Sequence, residues 1–129
     1  MRALIVDDSS FIREYLRQTL QRMGMVCEEA GNGQEALDAF SRGASFEEAG
    51  FDLMLLDVNM PVMNGLECVR ILRESRLGPE TRVMMVTTEA DSSYIGRALE
   101  YGADEFLMKP FTSEALREKL LILGFEIAA

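Results

Sequence analysis

Two hydrophobic periodicities alternate along the whole chain, and that alternation admits few folds. Short apolar runs at Ala3–Val6, Met25–Ala30, Asp52–Leu56, Arg82–Thr87 and Glu105–Met108 read as strands. Between them apolar residues recur at helical spacing. Ile12, Tyr15, Leu16, Thr19, Leu20 and Met23 follow the candidate caps Ser9 and Ser10, and Gly24 stops the helix. Ala36, Leu37 and Phe40 follow a cap pattern at Asn32-Gly33-Gln34-Glu35. Leu66, Val69 and Leu72 mark a third helix after a loop at Val58–Gly65. Tyr94, Ile95, Ala98 and Leu99 give a short fourth over Ser92–Tyr101, and Leu116, Leu120 and Leu123 give the last its inner face. Ser41–Gly50 is polar and small and reads as a loop. Five β-α units with short connections predict a parallel sheet with helices on both faces, because right-handed crossovers must bury each apolar stripe. With no linker, repeat or low-complexity tract, residues 1–129 are expected to form a single domain.

In such a sheet the carboxyl ends of the strands share one rim, where open α/β sheets place their sites. Four of the five runs end in residues suited to phosphate or metal chemistry: Asp7 and Asp8, Asp57, Thr87, and Lys109. Only Met25–Val26 ends without one. If the first and third strands are neighbours, Asp7, Asp8 and Asp57 converge. Holding such charges about 4 Å apart costs roughly 4 kcal/mol per pair at an effective dielectric near 20, so a bare cluster needs compensation. A divalent cation and Lys109 would supply it, and an all-oxygen donor set suits a hard ion such as Mg2+. Asp57 is the candidate nucleophile, since a carboxylate ionised at neutral pH attacks phosphorus without a base. Thr87 would donate a hydroxyl to a phosphoryl oxygen and Lys109 would neutralise another. Singly, a Thr at a strand end is a plain β-former, a Lys before Pro a surface charge, and Asp8 a helix cap. Lys109-Pro110 follows a strand directly, and a cis bond there would aim the preceding side chain inward, though position alone leaves the isomer open.

Composition narrows the function further. Thirteen basic residues against 22 acidic give a net charge of -9, which disfavours direct nucleic-acid binding. No run of about 20 apolar residues and no basic leader before an apolar stretch is present, so neither membrane insertion nor secretion is indicated and the cytoplasm is the expected location. Cys27 and Cys68 are lone thiols without C-x-x-C spacing, expected to be reduced and partly buried. Histidine is absent, which excludes phosphohistidine on this chain. Phosphoryl chemistry through a histidine would need a partner's.

The blocks Val6-Asp7-Asp8-Ser9, Leu55-Leu56-Asp57-Val58-Asn59-Met60-Pro61, Val86-Thr87-Thr88-Glu89, Gly102-Ala103-Asp104-Glu105-Phe106 and Met108-Lys109-Pro110-Phe111 together resemble the receiver domain of bacterial two-component response regulators. They are most similar to the single-domain chemotaxis type, from about Arg2 to Leu123. The resemblance implies a doubly wound, flavodoxin-like α/β fold with five flanking helices and strand order 2-1-3-4-5. It implies that Asp57 accepts a phosphoryl group from a phosphohistidine on a sensor kinase or histidine phosphotransfer protein. Asp8 and Asp57 would ligate Mg2+, Asp7 would hold a metal-bound water, and Asn59 would offer its backbone carbonyl. Lys109 would pair with the phosphate and Thr87 would be the switch hydroxyl. Asn59 and Glu89 occupy positions that tune how quickly water reaches the acyl phosphate. Such a chain catalyses only its own phosphorylation and dephosphorylation, as a monomer or a weak activation-dependent dimer.

Two residues depart from the chemotaxis pattern. Phe106 stands where a tyrosine is usual and cannot hydrogen-bond at a target. Thr88, bulkier than the usual alanine, stands beside Thr87. If Thr87 moves toward the phosphoryl oxygens, Phe106 can turn into the space it leaves. The expected partner face is therefore the fourth helix, fifth strand and fifth helix, roughly Ser92 to Leu123. The same chemistry would serve a phosphorelay intermediate or the receiver of a longer, non-chemotaxis regulator. An aspartate-nucleophile phosphohydrolase needs an acid two residues past the nucleophile, where Asn59 stands instead. Flavodoxin-like FMN binding lacks its Ser/Thr/Gly phosphate loop after the first strand.

Overall fold

The computed structural model describes residues 1–43 and 50–127. β1 (Arg2–Val6), β3 (Leu53–Asp57) and β4 (Arg82–Thr88) form the interior of a five-stranded parallel sheet, flanked by the edge strands β2 (Val26–Ala30) and β5 (Glu105–Lys109), in the order β2-β1-β3-β4-β5. Every residue of β3 is buried, as a central parallel strand covered on both faces requires. β2 is largely exposed, with Val26 at 65%.

Side-chain alternation divides the core in two. Ala3, Ile5, Leu53, Leu55, Met84, Val86 and Leu107 pack with Leu16 and Leu20 of α1 (Ser10–Arg22) and Leu116 and Leu120 of α5 (Ser113–Ile122). Leu4, Met54, Leu56, Val83 and Met85 face α2 (Gly33–Gly43), α3 (Gly65–Ser75) and α4 (Ile95–Glu100). Cys68 is buried on α3 and Cys27 partly buried on β2, both free thiols, as expected.

The helix starts follow local chemistry. Ser9 Oγ accepts from the Ile12 N–H (3.3 Å) at α1, and Asn32 and Glu35 bond reciprocally at α2 (2.9 and 3.2 Å). Thr112 caps α5. At the other ends, Gly24 and Gly102 take left-handed φ of 93° and 111°. Arg73 ties the far side of the sheet together. Its guanidinium donates to the carbonyls of Gly102 (3.0 Å), Gly78 (2.6 Å) and Thr81 (2.8 Å) and to the Asp104 carboxylate (3.1 Å).

Two expectations need correction. The fourth helix does not run over Ser92–Tyr101: a 3-10 segment spans Glu89–Tyr94 and the α-helix is only Ile95–Glu100. Ala98 alone of its expected inner residues is fully buried, while Tyr94 and Leu99 are 42% and 43% exposed, so no continuous apolar stripe holds a longer α-helix. The polar loop expected over Ser41–Gly50 begins later, since α2 continues to Gly43; residues 44–49 lie outside the described residues. Among the described residues no helix is long and apolar enough to cross a membrane.

Candidate functional site

β1 and β3 pair in parallel with Val6 opposite Leu56, so Asp7, one residue past β1, and Asp57, the last of β3, emerge side by side. Alternation also settles the face. Asp7, Asp57 and Lys109 continue the parity of Ile5, Leu55 and Leu107, all of which face the α1/α5 layer, so the three side chains leave on one side of the sheet. The Lys109 ammonium lies 2.9 Å from Asp7 Oδ2 and 3.5 Å from Asp57 Oδ1. Lys109-Pro110 is cis. With Asp8, the two other aspartates offer one carboxylate oxygen each within 4.8 Å of one another.

The three carboxylates are held differently. Asp7, 2% exposed, is fixed on every side: its Oδ1 accepts from the Ser9 N–H (2.9 Å), Oδ2 from Lys109, its carbonyl from Arg13 (2.6 Å), and its N–H donates to the Ala30 carbonyl (3.2 Å). Asp57, 8% exposed, accepts from the Asn59 backbone N–H. Asp8 is exposed and has no hydrogen-bond partner among the described residues, because the cap of α1 is Ser9. Its carboxylate is free for an external ligand.

Burial pushes the Asp57 carboxyl up to about 6, the Asp7 charge adds to the effect, and Lys109 opposes it. Asp57 therefore remains mainly ionised at neutral pH, with a smaller margin than an ordinary aspartate. Burial pulls the Lys109 ammonium down, but the hydrogen bond it donates to Asp7 and the charges of Asp57 and Asp7 outweigh it and leave the group above its usual range. One ammonium against three carboxylates leaves an excess of negative charge facing solvent at Asp8. A hard divalent cation fits this all-oxygen donor set, with room for waters on the open side.

Not all of the expected residues join this cluster. Thr87 is fully buried, but it has the opposite parity to Asp57, and its hydroxyl donates to the Thr88 carbonyl (3.2 Å) instead of to a carboxylate. Thr88 projects to the surface and bonds Asp91 (3.1 Å). Asn59 is exposed beside the site. Glu89 opens the 3-10 segment, and its side chain lies outside the described residues. Phe106 is half-buried on the edge strand, in the row of Met85 and Leu56 and so one residue short of Asp57, from which β4 separates it, with the Lys119 ammonium 4.5 Å from its ring centroid.

Sequence reasoning did not anticipate three contributors. Asn64 caps α3 by accepting from the Glu67 N–H (2.9 Å), and the Asn-x-x-Glu spacing was its signal. Gly65 begins α3 so close to the end of β3 that a Cβ there would lie 2.2 Å from the Asp57 carbonyl oxygen. Arg13 holds the Asp7 carbonyl, and nothing in the sequence singles it out. An apolar groove lined by Phe11, Ile12, Tyr15, Pro110 and Phe111 opens beside Lys109 and Thr88.

Comparison with known proteins agrees with this geometry. The chain is 36% identical over 126 residues to chemotaxis protein CheY1 of Helicobacter pylori, covering 96% of this chain and 98% of that protein. Among solved structures, the chemotaxis response regulator CheY4 of Vibrio cholerae is 38% identical with a TM-score of 0.79, covering 95% of this chain and 97% of that one. The response regulator TrrA of Thermotoga maritima, solved in complex with Mg2+-BeF, is 34% identical with a TM-score of 0.78 over 95% of this chain and 97% of its own. The sequence profile of the response regulator receiver domain matches residues 3–121. With that match, the 2-1-3-4-5 sheet and the acidic cluster at its carboxyl rim, the chain belongs to the CheY-like response regulator receiver family.

Proposed function

We propose that residues 1–129 work as one receiver domain, a cytoplasmic signalling switch in which Asp57 takes a phosphoryl group from a phosphohistidine of a sensor kinase or histidine phosphotransfer protein. The observation that carries this reading is the buried Asp57 carboxylate set between Lys109 and two further carboxylates. An Asp57 oxygen forms the new bond to phosphorus as the bond to the partner's imidazole nitrogen breaks, and that nitrogen leaves with its electron pair. The product is an acyl phosphate that water later hydrolyses. Asp8, Asp57, the Asn59 carbonyl and, through a water, Asp7 would hold Mg2+, which would supply screening of the charge between phosphoryl oxygens and carboxylates. Lys109 neutralises a phosphoryl oxygen in its present position. Thr87 must turn its hydroxyl away from the Thr88 carbonyl to donate to another, which makes it the moving part. Asn59 and Glu89 set the access of water.

The output face in this reading is α4, β5 and α5. Phe106 is the side chain whose position there changes, and the partner is a downstream protein. Similarity to chemotaxis proteins along nearly the full length supports a chemotaxis role. Phe106, which has no hydroxyl to offer a target, favours the second reading: a receiver serving another regulator or a phosphorelay.

Incubation with Mg2+ and acetyl phosphate should add one acid-stable, base-labile phosphoryl group by intact mass, and Asp57→Asn should abolish it. Labelling that persists in that variant would remove Asp57 as the acceptor.

A further inference from the structure

The carbonyl of Asp7 is the first one beyond the last paired residue of β1, which is Val6 opposite Ala30, so the ladder does not satisfy it. Arg13, on the first turns of α1, does. Its Nη1 donates to that carbonyl at 2.6 Å while its Nε donates to Glu29 Oε1 at 3.0 Å. The other Glu29 oxygen lies 3.3 Å from Arg17 Nε, so the carboxylate that aims Arg13 is itself held from two sides. The Arg13 side chain is 20% exposed, a mostly enclosed fork rather than a surface charge.

The peptide unit is planar, so an oxygen fixed at Asp7 fixes the whole unit through to the nitrogen and Cα of Asp8. Asp7 is secured by three other bonds, whereas the Asp8 carboxylate has no partner among the described residues. The N and Cα of Asp8, from which its side chain departs, are thus placed by this peptide plane. We propose that Arg13 is a positioning residue: by holding the Asp7–Asp8 peptide plane, it directs the Asp8 carboxylate at the cation. The inference rests on the reading of Asp8 as a Mg2+ ligand.

Charge alone predicts the opposite sign. A guanidinium next to an acidic cluster repels a cation, so removing it should tighten Mg2+ binding. Loss of a group that orients a metal ligand weakens it, by roughly 10- to 100-fold. Calorimetric titration with Mg2+, together with metal-free melting curves, should be run on wild type, Arg13→Met, Arg13→Lys and Asp8→Asn. Arg13→Met is expected to bind Mg2+ about 10-fold more weakly or worse. Arg13→Lys keeps the charge but not the fork that spans the Asp7 carbonyl and Glu29, and should also bind more weakly; it decides the matter alone if Arg13→Met fails to fold. Unchanged or tighter binding in the Arg13 variants, with Asp8→Asn weakened, overturns the proposal even if their melting temperature falls. Wild-type affinity in Asp8→Asn would instead overturn the reading of the metal site, and the proposal with it.

Discussion

Replacing Asp57 with asparagine should stabilise the metal-free protein, and by an amount that depends on pH in a defined direction. The Asp57 carboxyl is displaced upward from 3.8 to about 6, first by burial and then by the Asp7 charge, against the pull of Lys109. A carboxyl whose pKa is higher in the folded state than in the unfolded state favours folding while it is protonated. That contribution is fully present below the unfolded value and is lost as pH rises through about 6. A displacement of about two units, at about 1.4 kcal/mol each, makes ionised Asp57 cost roughly 3 kcal/mol at neutral pH, falling to about half that near pH 5. Asp57→Asn removes the charge with little change of shape. Urea unfolding followed by circular dichroism, with chelator present, should show the variant more stable by about 3 kcal/mol at pH 7 and above, with the advantage shrinking toward pH 5. Every other titrating group is common to both proteins, so the difference between the two curves isolates this one. Added Mg2+ should then narrow the gap by stabilising wild type more than the variant, because it binds the folded state in proportion to its affinity. A constant offset across the pH range, or a variant less stable than wild type, would refute the account of a desolvated, crowded carboxylate.

Gly65→Ala should cost about 2 kcal/mol or more and weaken Mg2+ binding, because its Cβ would have to displace the Asp57 carbonyl only 2.2 Å away; a wild-type melting temperature would show that the backbone yields freely. Adding beryllofluoride with Mg2+ should shift the amide resonances of Ala98, Tyr101 and Phe106 as well as those of the acidic rim. Changes confined to the neighbours of Asp57 would mean that the site binds without switching the distant face.

The three interior strands are legible because a parallel strand covered on both sides is apolar through its middle, as Leu53–Leu56 is. β2 is harder to read, since an edge strand needs only alternate contacts and carries Cys27, Glu28 and Glu29 in its middle. The short fourth helix misleads for a related reason. Tyr94 and Leu99 keep helical spacing but contribute to the surface, so periodicity there reports no buried stripe. The site itself follows from strand ends plus neighbouring order, which brings Asp7, Asp57 and Lys109 together. A position at the rim does not by itself give the face, and Thr87, offset by one in parity, faces the other way. Arg13 and Arg73 are invisible in sequence because each is one arginine among others on its helix until its partners on other elements are known, and those partners are mostly backbone carbonyls.

An open sheet has two unpaired borders, and each is an invitation to a strand from another molecule. On β2 the border carries Glu28 paired with Arg2 and Glu29 paired with Arg13 and Arg17; on β5 it carries Glu105 paired with Lys119. An incoming strand would have to strip water from these ion pairs, at a cost its backbone bonds would not recover. The same charges that contribute little to folding therefore oppose edge-to-edge pairing of one sheet with another. Neutral, β-branched replacements at Glu28 and Glu29 would alter the shelf life of a concentrated solution well before they altered a melting curve.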